Sequence, residues 1–547
     1  MKKLFILFAG LLLMSCQPVK KADTSIHLSS VGFLPSTPKK ASIIGQAGSF
    51  VIKQTTGDTV VFEGKLSGPF SQEELDQEVM MADFSGLETA GNYYLELSGG
   101  QRSVAFDISP AVYQPVYYTA MRAFYLWRCG TAVAGQHHGN TFSHGPCHLD
   151  DGYDDFTGNP GVRRNGTKGW HDAGDYGKYT VNAGITLGML FMAWDRFQDQ
   201  LEKISLDLPE TAPGYPDFLK ELKWETDWLL TMPYPDGTGR VSHKLTRKNF
   251  APFIRADEDR ENRYFTEWSS DATANFTATM AQAARYFKPF DAEYAQRCLD
   301  AAQQSYQFLT ENPEHKKFEQ GEFKTGGYQS SDDDDRIWAA AELWETTGDS
   351  KYLYDFEQRA ASMNFTIDED WDWGDVSNLA MFTYILSDKE GKSAEVAAKI
   401  RNNILAVADQ IVEKGNRDVY GRPLGGRYYW GCNGTLARQV LNLQVACSLS
   451  PQAAYKHTAL DAIAHLFGRN YYNRSFVTGI GINPPMNPHD RRSGSDDLSE
   501  PWPGYLVGGG HSATGWMDKE EDYATNEIAI NWQGALVYAL AGFLSPE

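Results

Sequence analysis

Gly169–Trp170–His171–Asp172–Ala173–Gly174–Asp175–Tyr176–Gly177–Lys178–Tyr179 places two carboxylates three residues apart across an Ala-Gly pivot, with a histidine directly in front of the first. Such a turn can aim both carboxylates into one cavity and leave room between them for a water, as activation of water for attack on an acetal carbon requires. The same residues could simply cap the helix that follows, because aspartate accepts hydrogen bonds from free backbone N–H groups. Taken alone, the stretch does not separate the two readings.

The helix that this turn opens, Tyr179 to Phe197, is one of about twelve amphipathic segments with apolar residues at three- and four-residue steps. The others are Tyr113 to Trp127, Asp217 to Leu230, Asp271 to Phe287, Ala292 to Leu309, Arg336 to Thr346 and Tyr352 to Met363. Val376 to Leu386, Ala394 to Val412, Leu436 to Ser448, Gln452 to Phe467 and Ala524 to Leu544 complete the set. Twelve helices form six pairs, the count of an (α/α)6 barrel, so a mainly α domain is expected over 109–547. Long loops around 130–178, 233–268 and 470–523 are rich in aromatic and acidic residues, which marks them as functional. Over 25–108 the pattern changes to short alternating runs such as Ala41–Ile44, Thr59–Phe62, Val79–Ala82 and Tyr93–Leu97, with turns at Gly57–Asp58 and Gly91–Asn92. That rhythm predicts a small all-β sandwich of immunoglobulin type, read as a structural brace.

Residues 1–24 read as a targeting segment and tether. Lys2 and Lys3 precede an apolar run, Leu4 to Met14, too short to span a bilayer, and Leu13–Met14–Ser15–Cys16 resembles a bacterial lipobox. By that resemblance Cys16 carries a lipid and the protein sits at the bacterial outer membrane, on its periplasmic face or at the cell surface; a monomer is expected. The formal charge of −21 opposes a phosphate backbone, which excludes nucleic acid as a partner and suits a neutral polysaccharide.

Four clusters could carry chemistry. Cys129, Cys147, His148 and His171 form a Cys2His2 set, the donor type of closed, structural zinc sites, although His137, His138 and His144 offer a competing set. Glu527, in Asp522–Tyr523–Ala524–Thr525–Asn526–Glu527, opens the last predicted helix beside Ile528, Ile530 and Trp532, and so is either a general acid in an apolar setting or an ordinary first-turn glutamate. Pro488–His489–Asp490–Arg491 lies in a proline-rich loop, where a His and an Arg could hydrogen-bond sugar hydroxyls. Asp332–Asp333–Asp334–Asp335 is expected to cap a helix and lie in solvent, with calcium as the alternative. Of the cysteines, Cys298 and Cys447 sit in apolar helical patterns and are expected to be buried thiols.

Together these blocks resemble family 9 glycoside hydrolases, the cellulase family with an (α/α)6 barrel. Trp170–Tyr179 is similar to the family's Asp-Ala-Gly-Asp signature, and Asn526–Glu527–Ile528–Ala529–Ile530–Asn531–Trp532 to its Asn-Glu-Val-Ala signature. Tyr428–Tyr429–Trp430–Gly431–Cys432–Asn433–Gly434 resembles a further block, with Cys432 where serine is usual, and Gly468–Arg469–Asn470, Val477–Thr478–Gly479 and Pro488–Arg491 follow in the family's order. The resemblance implies that Asp175 is the general base, that Asp172 helps hold the water, and that Glu527 is the general acid of an inverting β-1,4-glucanase acting on cellulose-like or mixed-linkage glucans. It implies sugar contacts at His489 and Arg491, and Tyr429, Trp430 and Tyr523 are expected as stacking faces. It also implies zinc on Cys129, Cys147, His148 and His171. Calcium occurs in the family, but Lys220 stands where an acid is expected beside Glu210 and Asp217. An exo-acting or xyloglucan-directed enzyme, and a non-catalytic glycan binder, are the alternatives.

Overall fold

The computed structural model describes residues 22–45 and 47–545. The expected export signal and lipid-bearing Cys16 lie outside the described residues. Among those described, no helix is long and apolar enough to cross a membrane.

The N-terminal domain is a sandwich of two four-stranded antiparallel sheets. One runs β1 (Ile26–His27), β2 (Lys40–Ile44), β6 (Gln77–Asp83), β5 (Ser67–Gln72), and the other β4 (Val60–Lys65), β3 (Ser49–Gln54), β7 (Gly91–Leu97), β8 (Phe106–Ile108). Alternation sets the faces: in β3, Phe50 and Ile52 point inward to meet Ile43, Leu95 and Phe106. The sandwich is fastened to the helical domain by polar contacts. Ser42 Oγ donates to Val419 O at 2.7 Å, Lys40 pairs with Asp461 at 3.0 Å, and Arg469 Nε donates to Ser42 Oγ at 3.2 Å.

The helices pair in chain order as α1 (Gln114–Leu126) with α2 (Thr180–Leu201), α3 (Asp217–Leu229) with α4 (Ser270–Phe287), and α5 (Ala292–Glu311) with α6 (Asp333–Thr347). α7 (Ser350–Ser362) goes with α8 (Ser377–Leu386), α9 (Ala394–Arg417) with α10 (Cys432–Leu449), and α11 (Ala453–Leu466) with α13 (Ile530–Ala541), α12 (Tyr523–Asn526) being a single turn. The second member of each pair forms an inner ring: α13 packs on α2, α2 on α4, α4 on α6, α6 on α8 and α10 on α13. Between α8 and α10 the ring closes through Asn442, whose Oδ1 accepts from Trp371 Nε1 at 2.9 Å and from Asn378 Nδ2 at 3.5 Å.

Burial explains which helix goes where. Every residue of α2 from Thr180 to Trp194 and all of α13 is buried, whereas α9 buries one stripe, Ile400, Ile404, Ala408, Ile411 and Gly415. Inner helices therefore carry small residues that let neighbours approach. At Gly188 a Cβ would lie 2.7 Å from the Trp338 ring. The inner helices all begin at the same end of the barrel, and the loops that precede them converge there.

Two expectations need correction. Ala524 to Leu544 is not one helix, because the chain is extended at Glu527 (φ −71°, ψ 159°) and Ala529 (φ −152°, ψ 149°) before α13 begins. Cys447 is half-buried, although Cys298 is buried as expected.

Candidate active site

The converging loops enclose a cleft of about 520 Å³. Asp172, Ala173, Asp175 and Tyr179 line it from before α2, and Glu527 and Ala529 from before α13. Contacts between segments far apart in the chain fix both. Trp127 Nε1 donates to Ala173 O at 3.1 Å, His171 N to Trp127 O at 2.8 Å, and Ile530 N to Asp172 O at 2.9 Å, so the turn is held between the end of α1 and the start of α13. Gly174 has a specific need: a Cβ there would sit 2.0 Å from His489 O.

The two aspartates are buried and each is gripped by two donors. Asp175 Oδ2 accepts from Tyr179 Oη at 2.9 Å and from Gly177 N at 3.0 Å. Asp172 accepts from Asn182 Nδ2 at 2.7 Å and from Tyr328 Oη at 2.6 Å. Burial, and then the neighbouring Asp175, push the Asp172 carboxyl up, while the Tyr328 and Asn182 hydrogen bonds oppose the rise. The pair therefore carries less negative charge than two free carboxylates would.

Glu527 is the opposite case. Its backbone is fixed, with Gly508 N donating to Glu527 O at 2.9 Å and His489 and Glu527 forming a parallel bridge. Its carboxyl takes no hydrogen bond from the described residues and opens onto the cleft. Burial raises its pKa well above the ordinary glutamate value, Asp175 and Asp172 add to the rise, and Arg491 opposes it. The extended break disposes of the first-turn reading, since Glu527 lies outside the helix that would have used it.

The expected sugar contacts separate into two groups. Trp430 lines the cleft, 47 % exposed, and the exposed Tyr523 meets it edge-on at 5.5 Å. Tyr429 instead turns inward against the core and does not reach the cleft wall. Arg491 is buried and spends two donors on backbone, Nε to Ala251 O at 2.6 Å and a terminal nitrogen to Gly174 O at 2.7 Å, so it braces the Asp172–Asp175 turn. The His489 ring is tied to Glu520 O at 2.7 Å and packs against Phe253 and Tyr523 beside the cleft. Tyr328, Trp373 and Phe250 also line the cleft and were not singled out by sequence, whereas Trp532, expected beside Glu527, lines it too. The usable signal was position: Gly326–Gly327–Tyr328 and Asp372–Trp373 each stand in a loop just ahead of an inner helix.

On the far side of the turn, one donor atom from each of Cys129, Cys147, His148 and His171 lies within 4.8 Å of the others, all four residues being buried. Three of the six edges are 3.5 Å (Cys129 Sγ to His148 Nδ1), 3.8 Å (Cys147 Sγ to His171 Nε2) and 3.4 Å (His171 Nε2 to His148 Nδ1). Bonds of about 2.0–2.3 Å arranged tetrahedrally give edges of roughly 3.4–3.8 Å, so this donor set fits a four-coordinate metal with no open position. Burial pushes His171 down to about 3, which leaves its ring neutral, as a ligand must be. His148 Nε2 meets Asp259 Oδ2 at 3.4 Å, a second layer that orients the ring. The competing histidines do not form a donor set among the described residues: the His137 and His138 rings stack at 3.9 Å, but His137 binds Gly479 O, His138 faces Glu500 and His144 binds Gly145 O.

The acidic segments are otherwise engaged. Asp217 accepts from Lys220 Nζ at 3.0 Å, and Glu210 from Arg128 at 2.9 Å, so the lysine ammonium sits where a calcium would need free carboxylate. The Asp332–Asp335 run is not a solvated cap. Asp332 pairs with Arg336 at 2.6 Å, Asp334 accepts from Val376 N at 2.8 Å, Asp335 from Asn275 Nδ2 at 2.6 Å, and Asp333 alone is exposed.

Residues 113–540 match Glycosyl hydrolase family 9, and residues 21–102 match the Cellulase N-terminal ig-like domain. The chain belongs to glycosyl hydrolase family 9. It is a glycoside hydrolase with an (α/α)6 barrel and an N-terminal immunoglobulin-like domain. It is 52 % identical to Endoglucanase D of Acetivibrio thermocellus over 96 % of this chain and 84 % of that one. It is 31 % identical to a xyloglucan-specific endo-β-1,4-glucanase of Bacteroides ovatus, covering 99 % and 97 % of the two chains. Among family 9 structures, a zinc-binding triple mutant of endoglucanase J30 superposes with a TM-score of 0.87 at 30 % identity, over 94 % of this chain and 100 % of that one.

Proposed function

We propose that this family 9 member is an endo-β-1,4-glucanase that hydrolyses cellulose-like or mixed-linkage β-glucan with inversion. Asp175 takes a proton from the water as its oxygen attacks the anomeric carbon, Asp172 holds that water, and Glu527 gives its proton to the departing glycosidic oxygen. The observation that carries this reading is the contrast within one cleft: two aspartates each held by two hydrogen-bond donors, and one glutamate that takes no hydrogen bond from the described residues and whose pKa burial raises. Trp430 and Tyr523 offer faces for sugar rings.

Two tests bear on it. NMR of the first products distinguishes α-anomers, expected of inversion, from β-anomers, which would overturn it. Viscosity of a soluble β-glucan should fall well before reducing ends accumulate, whereas early monosaccharide release would mean an exo mode. The similarity to a xyloglucan-specific enzyme makes xyloglucan the substrate to run beside cellulose and mixed-linkage glucan.

The ion held by Cys129, Cys147, His148 and His171 is read as zinc in a structural role, because four protein donors leave no place for a reacting group. Cys16 is read as the lipidated residue that tethers the enzyme to the outer membrane. Detergent phase partitioning of the full chain against Cys16→Ala tests this: loss of detergent-phase protein is expected, and unchanged partitioning would refute it.

A further inference from the structure

Lys244 opens a short strand that no step above uses, and His243 stands just before it. This strand, β10 (Lys244–Thr246), pairs with β9 (Lys178–Tyr179) so that Lys244 lies opposite Tyr179, and Thr180 N donates to His243 O at 3.1 Å. One edge of the strand therefore runs along the end of the Asp172–Asp175 turn. The Lys244 and His243 side chains reach the segment before α6. The buried Lys244 Nζ donates to Gln320 Oε1 at 2.7 Å, Gly326 O at 2.7 Å and Thr325 Oγ1 at 3.1 Å, three acceptors that use all three protons of an ammonium. His243 Nε2 lies 2.6 Å from Gly327 O, which can only accept, so that nitrogen carries the proton.

The segment so gripped, Thr325 to Tyr328, serves both aspartates. Gly326 N donates to Tyr179 Oη at 3.1 Å, whose own proton goes to Asp175 Oδ2, and Tyr328 Oη donates to Asp172 Oδ2. Tyr328 holds a left-handed backbone (φ 43°), a conformation that its surroundings must impose.

We propose that Lys244 is a positioning residue for hydrolysis: its buried Nζ, seconded by His243, clamps the Thr325–Tyr328 strap through which hydroxyl hydrogen bonds reach both Asp172 and Asp175. This rests on the reading of those two residues as the water-activating pair. Nothing in the contact pattern gives Lys244 access to substrate, since it does not line the cleft. Losing the clamp loosens the geometry of the attacking water while leaving the sugar-stacking faces in place, so turnover should suffer more than binding.

The test uses the full enzyme with Lys244→Met, Lys244→Gln, Tyr328→Phe and the double variant Lys244→Met/Tyr328→Phe, reading kcat and KM on a soluble β-glucan. Lys244→Met should lower kcat by about tenfold to a hundredfold, with KM within about threefold of the parent. Lys244→Gln, which keeps a neutral donor, should lie between, and it carries the test if the methionine variant does not fold. Because Lys244 acts through Tyr328 in part, the double variant should fall less than the product of the two single losses. A kcat within about twofold of the parent, a loss confined to KM, or penalties that multiply in full would overturn the proposal. Asp175→Asn, run alongside, separates the two failures: full activity there would refute the catalytic assignment itself.

Discussion

Asp175 and Glu527 share one cleft and differ in everything that fixes a proton. Asp175 accepts from a backbone N–H and a tyrosine hydroxyl, groups that can stabilise a carboxylate and hold its direction. Glu527 has a fixed backbone and an unpartnered carboxyl, so burial and two nearby aspartates act on it with only Arg491 in opposition. In the proposed roles, the base is the carboxyl whose direction two donors fix, and the acid is the one left without a donor. Sequence supplies the two kinds of carboxyl, but the assignment of roles comes from which loops stand opposite each.

The hardest way to break this contrast is to remove either charge. Asp175→Asn and Glu527→Gln should each cost on the order of a thousandfold or more in kcat on natural polymer, with the far-UV circular dichroism unchanged. Retained turnover in either variant sinks the corresponding role. The two should part on an aryl glucoside with a good leaving group: Glu527→Gln recovers much of its loss there, because that leaving group needs no proton, and Asp175→Asn does not.

The split between these residues also marks what sequence could say. The inner helices were legible because their apolar residues are numerous, and the Asp172/Asp175 turn because its residues are rare in that order. The break at Glu527–Ala529 was not, since it arises from pairing with His489, Val507 and Ala173, contacts between segments far apart in the chain. Tyr429 and Trp430 are adjacent aromatics with opposite fates, and the Gly431 that follows turns with φ 84° to start α10. Composition cannot tell which of two neighbouring rings faces out. The resemblance implies a sugar contact at Arg491, whereas the hydrogen bonds it makes here go to backbone carbonyls, which any sequence carries. Tyr328 lacked a recognisable pattern of its own; only its place ahead of α6 gives it away.

A second contrast lies along the same turn, where the proposed metal donor His171 stands directly before the proposed water-holding carboxylate of Asp172. Chelation of the full enzyme should lower its thermal midpoint by several degrees, because a bound metal adds its binding free energy to the folded state. Below that midpoint kcat should drop only modestly, and zinc should restore both. Loss of turnover with the midpoint unchanged would place the metal in the reaction and undo the division. Cys147→Ser should reproduce the chelated enzyme without chelator.

The smallest effect concerns the proton on Glu527. As general acid it must be protonated, so activity is lost as pH rises through its pKa, and the raised value places that alkaline limb above the ordinary glutamate range. Stability follows the same sign. A carboxyl whose folded pKa exceeds its unfolded value contributes stability that is fully present below the unfolded pKa and is lost as pH rises through the folded one. Glu527→Gln, which cannot ionise, should therefore be more heat-resistant than the parent at alkaline pH and no better at acidic pH. Arg491 pulls the Glu527 pKa down, so Arg491→Met should move the alkaline limb of kcat/KM upward by a fraction of a pH unit, even as it slows turnover by releasing Gly174. Arg491→Lys keeps the charge and loses part of the brace, so it should slow turnover with the limb in place. If both variants move the limb alike, the shift comes from the displaced turn rather than from the charge of Arg491.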